Sequence, residues 1–291
     1  MSSPFLLALH GELVVVGKRP DGDSMRFVPD RPELLLELHR ADRIRPSGDG
    51  SLQLRFEGID TPETHYGEDS QPLGEDARNG LLATSGFQDV VFDDEGVVAS
   101  AEPERRRAVV LSQAAEANGR PVAYVLLDDP DPPPDGQWTE VTPELVRRTA
   151  NARQLAAGLA YPTLYTSTPA SHRRELRAIA SEARAAGAGV WALDQTPEFP
   201  LVDQRSISPG GALVLPKLFR RCTDYLKAVG GGFAGTLPDW LVAVSATGTR
   251  PEDDRLVIGG RTEVSLSALV QQRNAWIVFG GDLLDIVFVE K

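Results

Sequence analysis

The run Arg55-Phe56-Glu57-Gly58-Ile59-Asp60-Thr61-Pro62-Glu63 constrains this chain more than any other stretch. Residues 52–59 read as a strand, and Thr61-Pro62 stops it, because proline lacks the N–H a ladder needs and restricts the residue before it. Two carboxylates, Asp60 and Glu63, therefore stand where a strand gives way to a loop. Arg55 lies five residues before Asp60. In an ideal strand that odd spacing sets them on opposite faces, so joining them requires a bulge or a strand end that re-aims one.

A second acidic turn, Asp21-Gly22-Asp23-Ser24, follows an apolar opening over residues 4–16. Together the two turns offer several oxygen ligands on two strand ends, which is what a hard cation such as calcium requires. No His/Cys ligand pattern competes, which disfavours zinc and copper. Cys222 is the only cysteine, so intramolecular disulfides are excluded and the residue reads as a buried small hydrophobe. Phosphodiester cleavage needs positive charge on the non-bridging oxygens and a positioned water. Arginine suits the first task, since its planar fork stays charged and binds phosphate oxygens bidentately.

Charge limits the partners. The formal net charge is −12, and residues 195–291 carry 10 Lys+Arg against 11 Asp+Glu, which leaves 20 against 31 in residues 1–194. A broad basic track for a long polynucleotide is thereby excluded, and the clusters at Arg105–Arg107, Arg147-Arg148 and Arg173-Arg174 read as solvated faces. No stretch reaches the roughly 20 apolar residues of a membrane helix, and the start lacks the pattern of a signal peptide, so a cytoplasmic protein without a membrane partner is expected.

Along the chain, periodicity and turn residues predict strands over 4–16, 25–28, 52–59, 90–98, 107–111 and 122–127. Helices are expected over 31–41, 74–82, 142–159 and from 171 to Gly187 or Gly189, the third opened by Thr142-Pro143. Residues 195–211, rich in Pro, Ser and Gly, read as a connector. Residues 212–291 read as a small α+β domain with a helix over 218–229 and no defensible motif; Phe219-Arg220-Arg221 reads as surface charge.

The ordered set Asp21-Gly22-Asp23-Ser24, Leu54-Arg55, Asp60-Thr61-Pro62-Glu63 and Gly119-Arg120 ahead of Val122-Ala123-Tyr124 resembles the staphylococcal nuclease (thermonuclease) family. Further echoes are Gly74-Glu75-Asp76-Ala77, Ala156-Ala157-Gly158-Leu159-Ala160 and Gly189-Val190-Trp191, so the resemblance covers roughly residues 10–194. It implies an OB-fold five-stranded β-barrel with three helices over residues 1–194, carrying an insertion at about 28–50; with the connector and the α+β extension read from the residues behind it, an α+β fold is expected.

By that resemblance Asp23 and Asp60 ligate calcium through carboxylates and Thr61 through its backbone carbonyl. Glu63 orients or activates the attacking water, Arg55 and Arg120 hold the phosphate, and Asp21 supports the site. One of Arg105, Arg106 and Arg107 is an alternative second arginine. Tyr161 and Tyr165 fall near the family's stacking tyrosines, whereas His65 and Tyr66 read as loop residues. The implied activity is a calcium-dependent nuclease on DNA or RNA, single strands preferred. Its rivals are a non-catalytic nucleic-acid or protein-interaction module and a phosphodiesterase for small nucleotides. Glu116-Ala117-Asn118 stands where the family is basic and aromatic, which weakens the grip on nucleotides without touching the metal chemistry.

Overall fold

The computed structural model describes residues 3–247 and 252–290. Its strands begin with β1 (Phe5–Val14), β2 (Arg26–Pro29), β3 (Leu52–Gln53), β4 (Arg55–Phe56) and β5 (Ile59–Asp60). A hairpin of β6 (Gln88–Phe92) and β7 (Val98–Glu102) follows, then β8 (Arg105–Ala115), β9 (Pro121–Leu126) and β10 (Trp138–Glu140). The main sheet runs β3-β2-β1-β8-β9-β4, with β10 added on β1. Its pairs are antiparallel except β4 with β9.

The two ends of that path, β3 and β4, are parts of one segment separated only by Leu54. Leu54 N–H donates to Met25 O at 2.9 Å, and Glu57 N–H donates to Ala123 O at 2.8 Å. The segment thus bridges the first and last strands and curls the sheet into a nearly closed barrel. Alternation fills its interior with Leu13, Phe27, Leu54, Phe56, Val110 and Val125, all buried. The fold is mixed α+β, with α1 (Gly74–Thr84), α2 (Pro143–Arg147), α3 (Ala150–Ala156), α4 (Ala170–Ala185) and α5 (Val190–Leu193) around this barrel.

Several expectations change at the level of local chemistry. The strand expected over 52–59 breaks at Gly58, whose φ of +76° is strained for any other residue and whose Cβ would press on Leu176 Cδ1 at 2.4 Å. Past it, β5 leaves the barrel and pairs with β11 (Tyr161–Pro162). The strand expected over 90–98 is the β6–β7 hairpin, turned where Asp93 Oδ1 accepts Glu95 N–H and Val97 N–H, each at 2.9 Å. The helix expected over 142–159 is split, because Thr149 caps a second helix by accepting from Ala152 N–H at 3.3 Å.

Residues 31–41 form a 3-10 helix, Pro32–Glu37, in place of the expected α-helix. Beyond it His39 is drawn into the β8 edge: its N–H donates to Gln113 O and its carbonyl accepts from Ala115 N–H, both at 2.9 Å. Strand pairing there outcompetes helix propagation. The insertion also seals the β8–β9 turn, where a Cβ on Gly119 would lie 2.2 Å from Arg43 O.

The C-terminal part contains α6 (Pro216–Gly230) and α7 (Leu237–Thr247), the second of which the sequence reading lacks. Around them lie β12 (Glu198–Pro200), β13 (Arg255–Ile258), β14 (Thr262–Ser265), β15 (Val270–Arg273), β16 (Trp276–Phe279) and β17 (Ile286–Phe288). They form two small sheets, β12-β16-β15 and β14-β13-β17. The expected connector thus contributes a strand, and Phe199, Leu201 and Ile207 within it are buried.

One apolar cluster joins these elements to Tyr161 and Val190 of the barrel side. Phe288 clamps the two parts: its N–H donates to Leu164 O and its carbonyl accepts from Thr166 N–H, both at 2.8 Å. The boundary is packed, not a tether. No helix among the described residues is long and apolar enough to cross a membrane.

Candidate active site

The turn at Gly58 resolves the Arg55–Asp60 spacing. Arg55 leaves β4 facing Tyr165 in the loop after β11, while Asp60 ends β5 beside the loop that carries Glu63. Asp60 and Glu63 are buried, 6% and 9% exposed, and Asp23 in the Asp21–Ser24 turn is half-buried. Asp21 holds its own turn: it accepts from Gly22 N–H at 2.8 Å and from the Thr64 hydroxyl at 2.9 Å. Thr61 turns its hydroxyl toward Gly22, where it is buried without a hydrogen-bond partner among the described residues.

These acids feel one another. Burial, then the neighbouring carboxylates Asp21, Asp60 and Glu63, push Asp23 well above the usual carboxylate range, against the pull of Arg55. Burial likewise pushes Glu63 up to about 7, with Arg220 opposing and Asp60 and Asp21 adding to the rise.

A cation comes from an element the sequence reading left outside the site. Arg220, on α6, sets Nη2 at 2.8 Å from Asp60 Oδ2 and Nη1 at 3.3 Å from Asp60 Oδ1, and Nη1 also bonds Glu63 Oε1. One turn earlier on α6, Lys217 places Nζ 3.2 Å from the Tyr165 hydroxyl. Arg55 Nη2 donates to the same hydroxyl at 3.0 Å, and its guanidinium carbon lies 5.1 Å from the ring centre. Arg55 Nε and Nη1, Arg220 Nε and Glu63 Oε2 have no hydrogen bond within the described residues. The mouth thus keeps cationic donors and one carboxylate oxygen unspent.

The implied ligand set can be tested on this arrangement. Both oxygens of Asp60 and one of Glu63 are taken by a guanidinium, and the described residues contain no group of three or more His, Cys, Asp or Glu side chains disposed to hold a metal ion. As placed, Asp23, Asp60 and Thr61 do not fit calcium, because a guanidinium already lies on both oxygens of Asp60, one of the two implied carboxylate ligands.

The arginines sort differently from the resemblance. Arg55 joins the mouth. Arg120 turns back instead: its Nε donates to Glu116 at 3.0 Å, the acidic residue standing where the family is basic. Arg105, Arg106 and Arg107 pair with Glu12, Asp128 and Asp30, and none of the three touches a mouth residue. Tyr165 contacts Arg55, whereas Tyr161 is buried with its hydroxyl on Asp194 at 3.0 Å. Tyr66 is more than a loop residue, since it donates to Asp224 of α6 at 2.6 Å. Cys222 is buried, as a small hydrophobe is expected to be.

Arg220 and Lys217 are what sequence reasoning missed. The available signal was the interleaving on one helix of the cations at 217, 220 and 221 with buried Leu218, Phe219 and Cys222. Cations that border a buried face are seldom free surface charges. Beside the mouth, a cavity of about 210 Å³ is lined by Arg55, Glu57, Tyr165, His172 and Glu290, among others.

No curated protein matches the chain. Residues 53–193 match the family model described as staphylococcal nuclease homologue, a shorter span than the 10–194 implied by the motifs. The match leaves out β1 and β2, although β1 pairs with β8 along eight residues and completes the same sheet. It contains Arg55, Asp60 and Glu63, the residues that the turn at Gly58 gathers at one mouth, and over residues 53–193 the chain is similar to the staphylococcal nuclease homologues.

Proposed function

We propose that this chain is a phosphodiester hydrolase acting on DNA or RNA, with short single strands as its substrate. The observation that carries the reading is the mouth where Arg55, Asp60, Glu63 and Arg220 converge, with N–H donors and one carboxylate oxygen still free. Two arginines with uncommitted N–H groups suit the non-bridging oxygens of a phosphate, whose charge they stabilise as it spreads in the transition state. Glu63 Oε2 can hold a water, and a carboxyl pushed up to about 7 suits a general base at neutral pH. The Tyr165 hydroxyl orients Arg55 and is a positioning group. Calcium, the ion the resemblance implies, has no step in this reading, because Arg220 occupies Asp60, one of the two carboxylates that would bind it.

The test is cleavage of single-stranded DNA and RNA oligonucleotides by the full chain. Loss of cleavage in Arg55→Ala and Glu63→Gln is expected; undiminished cleavage in both would sink the reading. A second reading, a hydrolase of small phosphodiesters such as dinucleotides, is favoured by the −12 net charge and by the small cavity beside Arg55. A salt series separates the two, since a single-stranded oligonucleotide held through several phosphates loses binding with salt more steeply than a dinucleotide does. The non-catalytic alternative gains support from Arg120, which is spent on Glu116 and not on the mouth.

A further inference from the structure

The cation at the acidic mouth comes from a part of the chain outside the matched family span. Arg220 grips Asp60 with two nitrogens and reaches Glu63 with one of them, so a single guanidinium lies across the two carboxylates. Its side chain is 23% exposed and theirs are 9% and 12%, which leaves the cluster mostly shielded from solvent. Arginine suits such a position, being permanently charged, weakly hydrated and able to serve two carboxylates from one plane.

α6 is held too firmly for Arg220 to act as a loose plug. Phe219 and Cys222, on either side of it, are fully buried. Tyr66 bonds Asp224 at 2.6 Å, and Gln71 Nε2 donates to Val214 O at 2.8 Å, just before the helix starts. Arg221 fixes the other side by donating to Asp254 Oδ2 at 2.9 Å and by pairing with Glu252. A divalent ion at Asp60 would have to displace Arg220 from it and strip a mostly shielded guanidinium of one of its two carboxylate partners, which is costly.

We propose that Arg220 is the resident cation of this site, and that the site operates without a divalent metal ion. The C-terminal part is then a component of the active centre and not an appendage to it. The inference concerns the same mouth as the proposed function, but it is read by cation binding and not by turnover, so either can fail without the other.

The experiment uses the full chain in metal-free buffer, titrated with calcium chloride. Calorimetry of the unaltered protein is expected to give no saturable heat. With 15N-arginine labelling, the Arg220 Nε–H resonance, assigned by its loss in Arg220→Lys, is expected to stay put throughout the titration. A one-to-one calcium isotherm, or a calcium-dependent shift of that resonance, overturns the proposal.

The variant Arg220→Ala removes the guanidinium and is expected to gain what the parent lacks, a rise in melting temperature on adding calcium. Arg220→Lys, which keeps the charge, is expected to show no such gain. An Arg220→Ala protein that folds and is indifferent to calcium overturns the proposal as well. Should that variant not fold, the two titrations of the unaltered protein decide.

Discussion

Arg55 Nη2 lies 3.0 Å from the Tyr165 hydroxyl, which ties the barrel's arginine to a residue of the loop after β11. Lys217 reaches the same oxygen from α6 at 3.2 Å. Burial alone would raise the phenol's pKa, yet Lys217 and then Arg55 outweigh it and hold Tyr165 below its ordinary value of 10. An ultraviolet pH titration of the full chain should therefore contain a tyrosine that ionises below 10, and Tyr165→Phe should remove it. The same variant should lose about 2 kcal/mol in urea unfolding, the worth of hydrogen bonds to charged groups. A titration curve identical to the parent's would count against this geometry.

Glu63 leads to a kinetic prediction. With its carboxyl pushed up to about 7, the rate of phosphodiester cleavage should climb about tenfold per pH unit below that point and level off above it. Glu63→Gln should abolish that limb together with most of the rate. Arg55→Ala should cost about 10²–10³-fold, the usual loss for one transition-state donor. Chelator should leave the parent's rate unchanged, since Arg220 supplies the charge.

The C-terminal part should unfold with the barrel. Phe219 is fully buried in the cluster that also holds Tyr161 and Val190, so Phe219→Ala should cost about 3–5 kcal/mol of the whole protein's stability. Denaturant transitions followed by tryptophan fluorescence and by circular dichroism should coincide in the parent. Two separated transitions would show that the parts are independent.

His172 should give the stability profile its acid side. The ring is fully buried, with Nε2 2.7 Å from Val141 O and Nδ1 3.2 Å from the Tyr124 hydroxyl, a pattern that suits the neutral imidazole donating to the first and accepting from the second. Burial holds its pKa below the ordinary 6.5, only partly offset by the bond to Val141. The folded state therefore takes up the proton later than the unfolded chain does as pH falls. Its contribution is intact above 6.5 and is lost as pH drops through the folded value, at up to about 1.4 kcal/mol per unit. Urea midpoints from pH 7 to 5 should fall less steeply in His172→Gln than in the parent.

Much of the barrel is legible in the chain because its signals are local. Alternation marks β1, β2, β8 and β9, and helical spacing marks α1, α4 and α6, each within a residue or a few of its observed span. Splits and replacements are where reading fails: Thr149 caps a second helix inside one apolar pattern, Asp93 turns one expected strand into a hairpin, and β8 captures residues near His39 from a helix. In each case a side-chain or cross-strand hydrogen bond overrides a weak propensity.

By itself the sequence determined the acidic turns at Asp21–Asp23 and Asp60–Glu63 and the arginine beside them, because those follow from residues close together in the chain. Only the tertiary structure decided what those groups meet. Arg220 reaches Asp60 across 160 residues of chain, and Arg120, four residues from Glu116, is spent there instead. Spacing along a strand or helix fixes which face a side chain takes. It carries no record of which distant helix packs opposite that face, and in this protein that packing sets the charge at the mouth.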